Sequence, residues 1–292
     1  MSIWTDLMGH AFRVDQVDAN GVSTRSMIMG EGPPVIFLHG ITEHLEAWIP
    51  PAPHYAEQFE VHLIDMLGHG YTGKPGEAYT IERMGIHVLD YMDAQGMDKA
   101  HLCGLSLGGW VTGWLLSTQG DRFLRSTMVV PAGNPDFNKP EIAAMVRDKT
   151  IAAVMSDDRE FTRARLLQVV VDEDVLTEEL VDVRYKIYHE PEFRAGLDNI
   201  LQIADLDVYA KYMLSEERLA LISGETLIVW SDEEGPMGLS GAPYYVENIP
   251  QSALAVFAGC GHWPPYERPE EFAKVTMDFM QNGLGTVPTD PI

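Results

Sequence analysis

The sequence predicts an α/β fold with a mostly parallel sheet of eight strands flanked by helices. Short, continuous apolar runs, typical of strands buried on both faces, alternate with helical patterns over the first 130 residues, and such alternation indicates parallel strands. A helix-rich stretch follows the sixth strand-like run, and two more runs follow that stretch. The chain has 292 residues, of which 46% are hydrophobic, which is enough for one large core.

The predicted elements begin with a hairpin. Two strand-like segments flank Asn20-Gly21, a dipeptide that favours a two-residue turn because both central residues adopt positive φ. The eight predicted strands are 12–19, 22–29, 35–38, 61–64, 101–103, 128–130, 226–230 and 253–257, and the clearest helices are 81–97 and 269–282. Residues 283–292 show no periodicity and are expected to form a loose tail.

The helix-rich stretch divides the predicted fold into a core and a lid. Residues 137–214 are rich in helix formers, and only Val169-Val170-Val171 resembles a strand there. We expect 137–214 to form a helical lid that is inserted after the sixth strand. The core is then formed by residues 1–136 and 215–292.

Acidic residues dominate the charge of the chain. It has 44 Asp and Glu against 20 Lys and Arg, a formal net charge of -24 at pH 7. Nucleic acid and anionic membranes bind clustered Lys and Arg, so neither is an expected partner. No signal-peptide core or membrane-length apolar run is seen, and two cysteines are too few for a disulfide framework. These features predict a cytoplasmic protein with a small-molecule substrate, and a homo-oligomer is an open alternative.

A candidate nucleophile lies between a predicted strand and a predicted helix. Residues 104–109 form Gly-Leu-Ser-Leu-Gly-Gly, a G-x-S-x-G sequence directly after the strand that ends at Cys103. In a nucleophile elbow the serine occupies a strained strand-to-helix turn, and the flanking glycines permit close backbone approach. The motif alone also fits an ordinary tight turn, but its context predicts Ser106 as a nucleophile.

The histidine best placed to activate this serine is His262. A serine hydroxyl needs an adjacent base that is held by a third group. Of the ten histidines, only His262 follows the last predicted strand in a glycine-rich loop, Gly259-Cys260-Gly261-His262-Trp263. Such a serine hydrolase needs no cofactor and no metal, and none is predicted.

These motifs, in this order, resemble those of the α/β-hydrolase superfamily over nearly the whole chain. His39-Gly40 after the third strand and the sequence Asp-Met-Leu-Gly-His-Gly at 65–70 complete the pattern. Within the superfamily the chain is similar to the lidded meta-cleavage product hydrolases of aromatic degradation and to their esterase relatives, on segments 179–185, 190–193 and 259–263. The resemblance implies that the acid of the triad lies between Ser106 and His262 in the chain.

The resemblance places this acid in the loop after the seventh strand, Ser231-Asp232-Glu233-Glu234-Gly235-Pro236. Related hydrolases commonly end this strand with Trp-Gly-x-x-Asp, a register that selects Glu234. Asp232 is the runner-up, and Asp136, after the sixth strand, is a third alternative.

The resemblance also implies oxyanion and substrate contacts. The two oxyanion donors would be the backbone N–H groups of Leu107 and Ile41. In meta-cleavage product hydrolases a lid arginine and the tryptophan beside the catalytic histidine contact the dienoate end of the substrate. By position these residues are Arg184 and Trp263. The alternative for Arg184 is a surface ion pair with a neighbouring carboxylate.

Two departures from those enzymes leave the chemistry open. Residues 41–44 are Ile-Thr-Glu-His where Ser-Gly-Pro-Gly is usual, and Leu105 replaces the usual asparagine before the nucleophile, which makes the substrate pocket more apolar. The sequence therefore favours hydrolysis of a carbon–carbon bond in a meta-cleavage-like product, with a carboxylesterase or lactonase for a small neutral ester as the alternative. A ligand-binding receptor with vestigial hydrolysis is a remote third interpretation.

Overall fold

One sheet of eight strands organises the described part of the chain. The computed structural model describes residues 2–135, 139–233 and 238–292, with the side chains of 238 and 239 excepted. The strands are β1 Phe12–Ala19, β2 Val22–Met29, β3 Pro34–Leu38, β4 Glu60–Ile64, β5 Ala100–Leu105, β6 Phe123–Val129, β7 Thr226–Ser231 and β8 Ser252–Phe257. All eight predicted strands are present.

The sheet has the order β1-β2-β4-β3-β5-β6-β7-β8. β1 and β2 are antiparallel, β2 is antiparallel to β4, and the pairs from β4 to β8 are parallel. Asn20 and Gly21 have φ of 52° and 87°, the positive values that the predicted hairpin turn requires. The predicted α/β-hydrolase fold, with a mostly parallel eight-stranded sheet, is confirmed.

The strand order also indicates where a ligand can bind. β3 and β5 are neighbours, but the chain leaves β3 toward β4 on one side and leaves β5 toward β6 on the other side, so the two connections run in opposite directions. In open α/β sheets such a reversal leaves a crevice outside the carboxyl ends of the strands, and ligands bind there. The loops that follow β3 and β5 contain His39 and Ser106, which the sequence motifs single out.

Helices cover the sheet and fill the connection between β6 and β7. The helices are α1 Ile3–Leu7, α2 Ala52–Tyr55, α3 Ile81–Ala94, α4 Leu107–Gln119, α5 Pro140–Met155, α6 Arg159–Leu166, α7 Glu178–Tyr188, α8 Pro191–Leu201, α9 Leu206–Tyr212, α10 Glu216–Leu219, α11 Ala242–Asn248, α12 Pro264–Glu267 and α13 Pro269–Asn282. We call residues 139–214, which contain α5 to α9, the insertion. No helix in the described ranges is long and apolar enough to cross a membrane.

The structure differs from the sequence expectations at β6 and in the tail. β6 begins at Phe123, five residues earlier than predicted, because Arg125, Ser126 and Thr127 hide its apolar pattern. The valine run at 169–171 does not form a strand. The expected loose tail was wrong at its end, because the Ile292 amide donates to the Val256 carbonyl and the Ala258 amide donates to the Ile292 carbonyl, at 2.9 and 3.1 Å.

Candidate active site

Ser106 occupies a strained turn between β5 and α4. Its φ is 53° and its ψ is -109°, a backbone conformation that side-chain-bearing residues rarely adopt. The turn is tight because a Cβ on Gly104 would lie 2.2 Å from the Gly108 carbonyl oxygen, and one on Gly108 would lie 2.2 Å from that of Leu38. Glycines at both positions therefore allow α4 to begin directly after the serine, which is the geometry of a nucleophile elbow.

Backbone strain is concentrated around this turn. Four non-glycine residues in the described ranges have positive φ, and three of them follow the carboxyl ends of neighbouring strands. Thr42 follows β3, Ser106 follows β5 and Val130 follows β6, with φ of 55°, 53° and 37°. Strained residues persist where the surrounding structure holds them, and they cluster at functional sites.

A cavity of about 220 Å³ opens beside Ser106. His262 lines the same cavity, so the structure brings the predicted nucleophile and base to one space. Ile41 and Leu107, the residues predicted to supply the oxyanion donors, line it too. The cavity lies between the carboxyl edge of the sheet and the insertion, which supplies part of its apolar wall: Ile142, Ala143, Met145, Val146, Val169 and Ile203.

The start of α4 is tied to the loop after β3. Leu107 is the first residue of α4, so its N–H has no acceptor within the helix. The next amide, from Gly108, donates to the His39 carbonyl at 3.1 Å. Nε2 of His39 accepts from the Met66 amide at 3.0 Å, so its Nδ1 carries the proton and donates to the Gly40 carbonyl at 2.8 Å. Burial lowers the pKa of His39 to about 3, so the imidazole that makes these two hydrogen bonds stays neutral.

The loop that carries His262 is held from two sides. The Ser231 hydroxyl, at the end of β7, donates to the Gly261 carbonyl. The Gly261 amide donates to Oε1 of Glu267 at 2.7 Å, and Oε2 of the same carboxylate accepts from the Val171 amide of the insertion at 2.8 Å. Glu267 thereby joins the histidine loop to the insertion, a role that the sequence did not indicate.

The predicted acid, Glu234, lies outside the described residues, and so does Asp136. The runner-up Asp232 is exposed, and its Oδ1 accepts a hydrogen bond from the Gly259 amide at 2.7 Å. Asp232 therefore holds the backbone at the start of the histidine loop.

Arg184 is buried and makes contacts within the protein. It is 3% exposed, so the alternative of a surface ion pair was wrong. Its Nε donates to Nε2 of His44 at 2.9 Å, and Nδ1 of His44 donates to the Glu46 carboxylate at 2.7 Å. Its second terminal nitrogen lies 3.9 Å from the Glu43 carboxylate. Nε of Arg184 is thus committed to His44, and the guanidinium faces Glu43.

The three predicted substrate-binding residues do not line the cavity in the described part of the chain. Arg184, Leu105 and Trp263 are all buried, and the Trp263 ring stacks on Tyr266 at 4.4 Å. Their contacts with a substrate stay predictions.

The structure adds polar cavity residues that sequence reasoning missed: Lys149, Arg165, Gln168 and Tyr209. Helical spacing could have pointed to Arg165, because Thr162 and Leu166 are buried on the same side of α6. Among the described residues, no group of three or more His, Cys, Asp or Glu side chains is placed to hold a metal ion.

The family follows from a comparison with known protein families. The model of the alpha/beta hydrolase fold family matches residues 33–269, which is most of the chain. The chain belongs to the α/β-hydrolase family. The match spans the elbow, the insertion and the histidine loop, and it agrees with the sheet order described above.

Individual α/β hydrolases are similar to this chain over most of their length. A 2-hydroxy-6-oxo-6-phenylhexa-2,4-dienoate hydrolase of Burkholderia cepacia is 29% identical over 266 residues, which cover 87% of this chain and 90% of the relative. A monoacylglycerol lipase of Mus musculus is 26% identical and covers 86% of this chain and 76% of the relative. The solved structure of CumD, a meta-cleavage product hydrolase of Pseudomonas fluorescens IP01, is 25% identical, with a TM-score of 0.79 over 93% of this chain and 98% of that chain.

Proposed function

We propose that this α/β hydrolase attacks an electrophilic carbonyl of a small substrate, with Ser106 as nucleophile and His262 as base. The observation that carries the proposal is that both residues line one cavity together with Ile41 and Leu107. A nucleophile, a base and two positions for oxyanion donors are the parts that acyl transfer requires. The cavity, at about 220 Å³, is below the roughly 300–1,000 Å³ of pockets for drug-sized ligands, which supports a small substrate.

In this mechanism Oγ of Ser106 attacks the carbonyl carbon while His262 accepts the hydroxyl proton. Negative charge develops on the carbonyl oxygen, where the N–H groups of Leu107 and Ile41 stabilise it. One such donor is typically worth about 3 kcal/mol in the transition state. His262 then donates its proton to the leaving group, and water hydrolyses the acyl-enzyme.

We assign the third member of the triad to Glu234. Asp232, the competing carboxylate, is exposed and accepts a hydrogen bond from the Gly259 amide, which supports a structural role for it. Glu234 would orient the imidazole and stabilise its protonated form. Glu234→Gln should therefore lower kcat far more than Asp232→Asn, and the reverse ranking of kcat would move the acid to Asp232.

The substrate class we propose is a meta-cleavage-like product, in which a carbon–carbon bond next to a carbonyl is hydrolysed. Support comes from the similarity to the dienoate hydrolase of Burkholderia cepacia and to CumD over almost their whole length. In such a substrate the dienol is first ketonised, with His262 handling the proton. Attack on the carbonyl by Ser106 then follows.

A small neutral ester or lactone is the second candidate substrate. Leu105 supports it, because an apolar residue precedes the nucleophile where the carbon–carbon bond hydrolases usually carry asparagine. The similarity to a monoacylglycerol lipase also supports it. Ester hydrolysis requires no ketonisation, so an acyl-enzyme on Ser106 is sufficient.

A side-by-side assay tests the proposal. The purified protein is given a series of p-nitrophenyl esters and a 2-hydroxy-6-oxo-dienoate, and kcat/KM is measured for each. Higher kcat/KM for the dienoate supports the carbon–carbon hydrolase, whereas turnover of esters alone supports the second candidate. Ser106→Ala should lower kcat at least about a thousandfold for either substrate. Undiminished turnover in this variant would refute the nucleophile, and Ser117→Ala, on an outer part of α4, is the matched control.

A further inference from the structure

The cavity contains a cation that no side chain in the described ranges neutralises. Arg165 lies in the last turn of α6 and lines the cavity that also contains Ser106 and His262. Its Nε is buried without a hydrogen-bond partner, and among the described residues its guanidinium takes part in no ion pair. Burial lowers the pKa of Arg165, but an arginine in a protein keeps its proton, so the guanidinium stays charged without a partner in the described ranges.

The nearest carboxylate is already committed elsewhere. Glu43 is the acidic residue whose charge acts on Arg165, but one of its oxygens accepts from the Gly40 amide at 2.8 Å. The other oxygen faces Arg184 at 3.9 Å. Arg184 itself donates to His44. Glu43 therefore contacts the loop after β3 and Arg184 of α7, and it makes no ion pair with Arg165.

The charge of the cavity opposes the charge of the chain. Two cations, Arg165 and the exposed Lys149 of α5, line the cavity, and no carboxylate lines it within the described ranges. Across the chain, acidic residues outnumber Lys and Arg by 44 to 20. Nε of Arg165 is buried without a partner, and an unpaired polar group at such a place is costly, so this local excess of cations is explained best by a ligand that supplies the anion.

We propose that Arg165 binds the carboxylate of the substrate, so that the enzyme selects small organic monoanions with an apolar remainder. The guanidinium presents a planar fork of N–H donors that matches a carboxylate, and the surrounding apolar wall suits the rest of the molecule. The inference rests on the proposed function of the same cavity. It assigns the anion contact to α6, whereas the resemblance implied Arg184 of α7.

The test uses two p-nitrophenyl esters that differ only in their far end. The butyrate ester is neutral, and the mono-ester of succinate ends in a carboxylate. We expect Arg165→Met to lower kcat/KM for the succinate ester at least tenfold more than for the butyrate ester, mainly through KM. Arg165→Lys should retain part of the preference, because it keeps the charge but loses the planar fork. An equal loss for both esters would overturn the proposal.

Arg163→Met is the matched control. Arg163 lies on the same helix, does not line the cavity, and pairs with Glu160 and Glu178 at the surface. Its substitution should leave the ratio of the two kcat/KM values unchanged. A change in that ratio as large as in Arg165→Met would indicate a general effect of charge and would also overturn the proposal.

A binding measurement separates this inference from the proposed function. Calorimetry on Ser106→Ala protein compares 4-phenylbutyrate with its neutral amide, and no turnover is needed. We expect tighter binding of the carboxylate, and at least a tenfold loss of its affinity when Arg165→Met is added. If the esters are not hydrolysed and this loss is seen, the hydrolase proposal fails and the anion site stands. If Ser106 is required for turnover but affinity is unchanged, the anion site fails alone.

Discussion

Two arginines of the insertion, Arg165 and Arg184, have opposite surroundings. Arg184 donates to His44 and faces Glu43, whereas Arg165 has no hydrogen bond or ion pair in the described part of the chain. Arg165 lines the cavity and Arg184 does not. Burial of an arginine therefore does not by itself identify a ligand-binding residue. One terminal nitrogen of Arg184 also lacks a hydrogen bond, but its charge faces Glu43 at 3.9 Å, whereas Arg165 pairs with no carboxylate among the described residues and is available to a ligand.

The surroundings of Arg184 extend deep into the core. Nδ1 of His44 donates to the Glu46 carboxylate. This carboxylate also accepts two hydrogen bonds from Arg25 of β2, at 2.8 and 2.7 Å. Arg25 in turn pairs with the buried Asp65 at 2.6 Å. A continuous chain of hydrogen bonds therefore connects α7 to the second strand of the sheet. These contacts hold Arg184 against the loop after β3, and Arg184 does not line the cavity.

The largest effect is expected when Arg184 is replaced. Arg184→Met leaves Glu43 and His44 without their partner, and removal of one partner from a buried charged network typically costs about 3–5 kcal/mol of unfolding free energy. Arg165→Met removes a charge that has no partner among residues 2–135, 139–233 and 238–292, and it should change the unfolding free energy little or raise it. Urea unfolding of both variants measures this difference, with Arg159→Met at the surface as the control. Equal losses of unfolding free energy in Arg184→Met and Arg165→Met would contradict the distinction between the two arginines.

A smaller effect on the unfolding free energy is expected from a change of pH. Burial, followed by the charge of Arg184, lowers the pKa of His44, because Nε2 must stay unprotonated to accept from Arg184. The folded state therefore binds fewer protons than the unfolded state. The contribution of His44 is complete above the ordinary pKa of about 6.5 and is lost as the pH falls below it. Acid should therefore weaken the hydrogen bond between Arg184 and His44 before it affects Arg165.

The measurement is the unfolding free energy at pH 7.5 and at pH 5.5. Five other histidines with lowered pKa contribute in the same direction: His39, His62, His69, His87 and His101. His44→Gln should therefore reduce the pH slope, by up to about 1.4 kcal/mol per pH unit, without abolishing it. An unchanged slope would show that His44 titrates alike in both states. His10→Gln, at an exposed position, is the control.

Local sequence patterns predicted the strands, the helices and the turn at Ser106. The surroundings of Arg165 and Arg184 depend on tertiary contacts, which local patterns do not reveal. The hairpin at Asn20-Gly21 and the turn at Ser106 depend on neighbours in the chain, so the sequence predicted them correctly. The resemblance to meta-cleavage product hydrolases predicted a substrate contact for Arg184, whereas its contacts in the structure, His44 and Glu43, lie about 140 residues away in the chain. Such long-range partners cannot be seen in the pattern of a single helix.

The ends of the sheet have a further consequence for solubility at high concentration. An edge strand offers unpaired N–H and C=O groups to other molecules, and it can template aggregation. β1 discourages this with the exposed charges of Arg13 and Asp15. β8 instead has part of its open side occupied by Ile292, whose amide and carbonyl pair with Val256 and Ala258. Ile292 thus covers part of this edge, and the loss of its two hydrogen bonds would expose a template for intermolecular β-pairing.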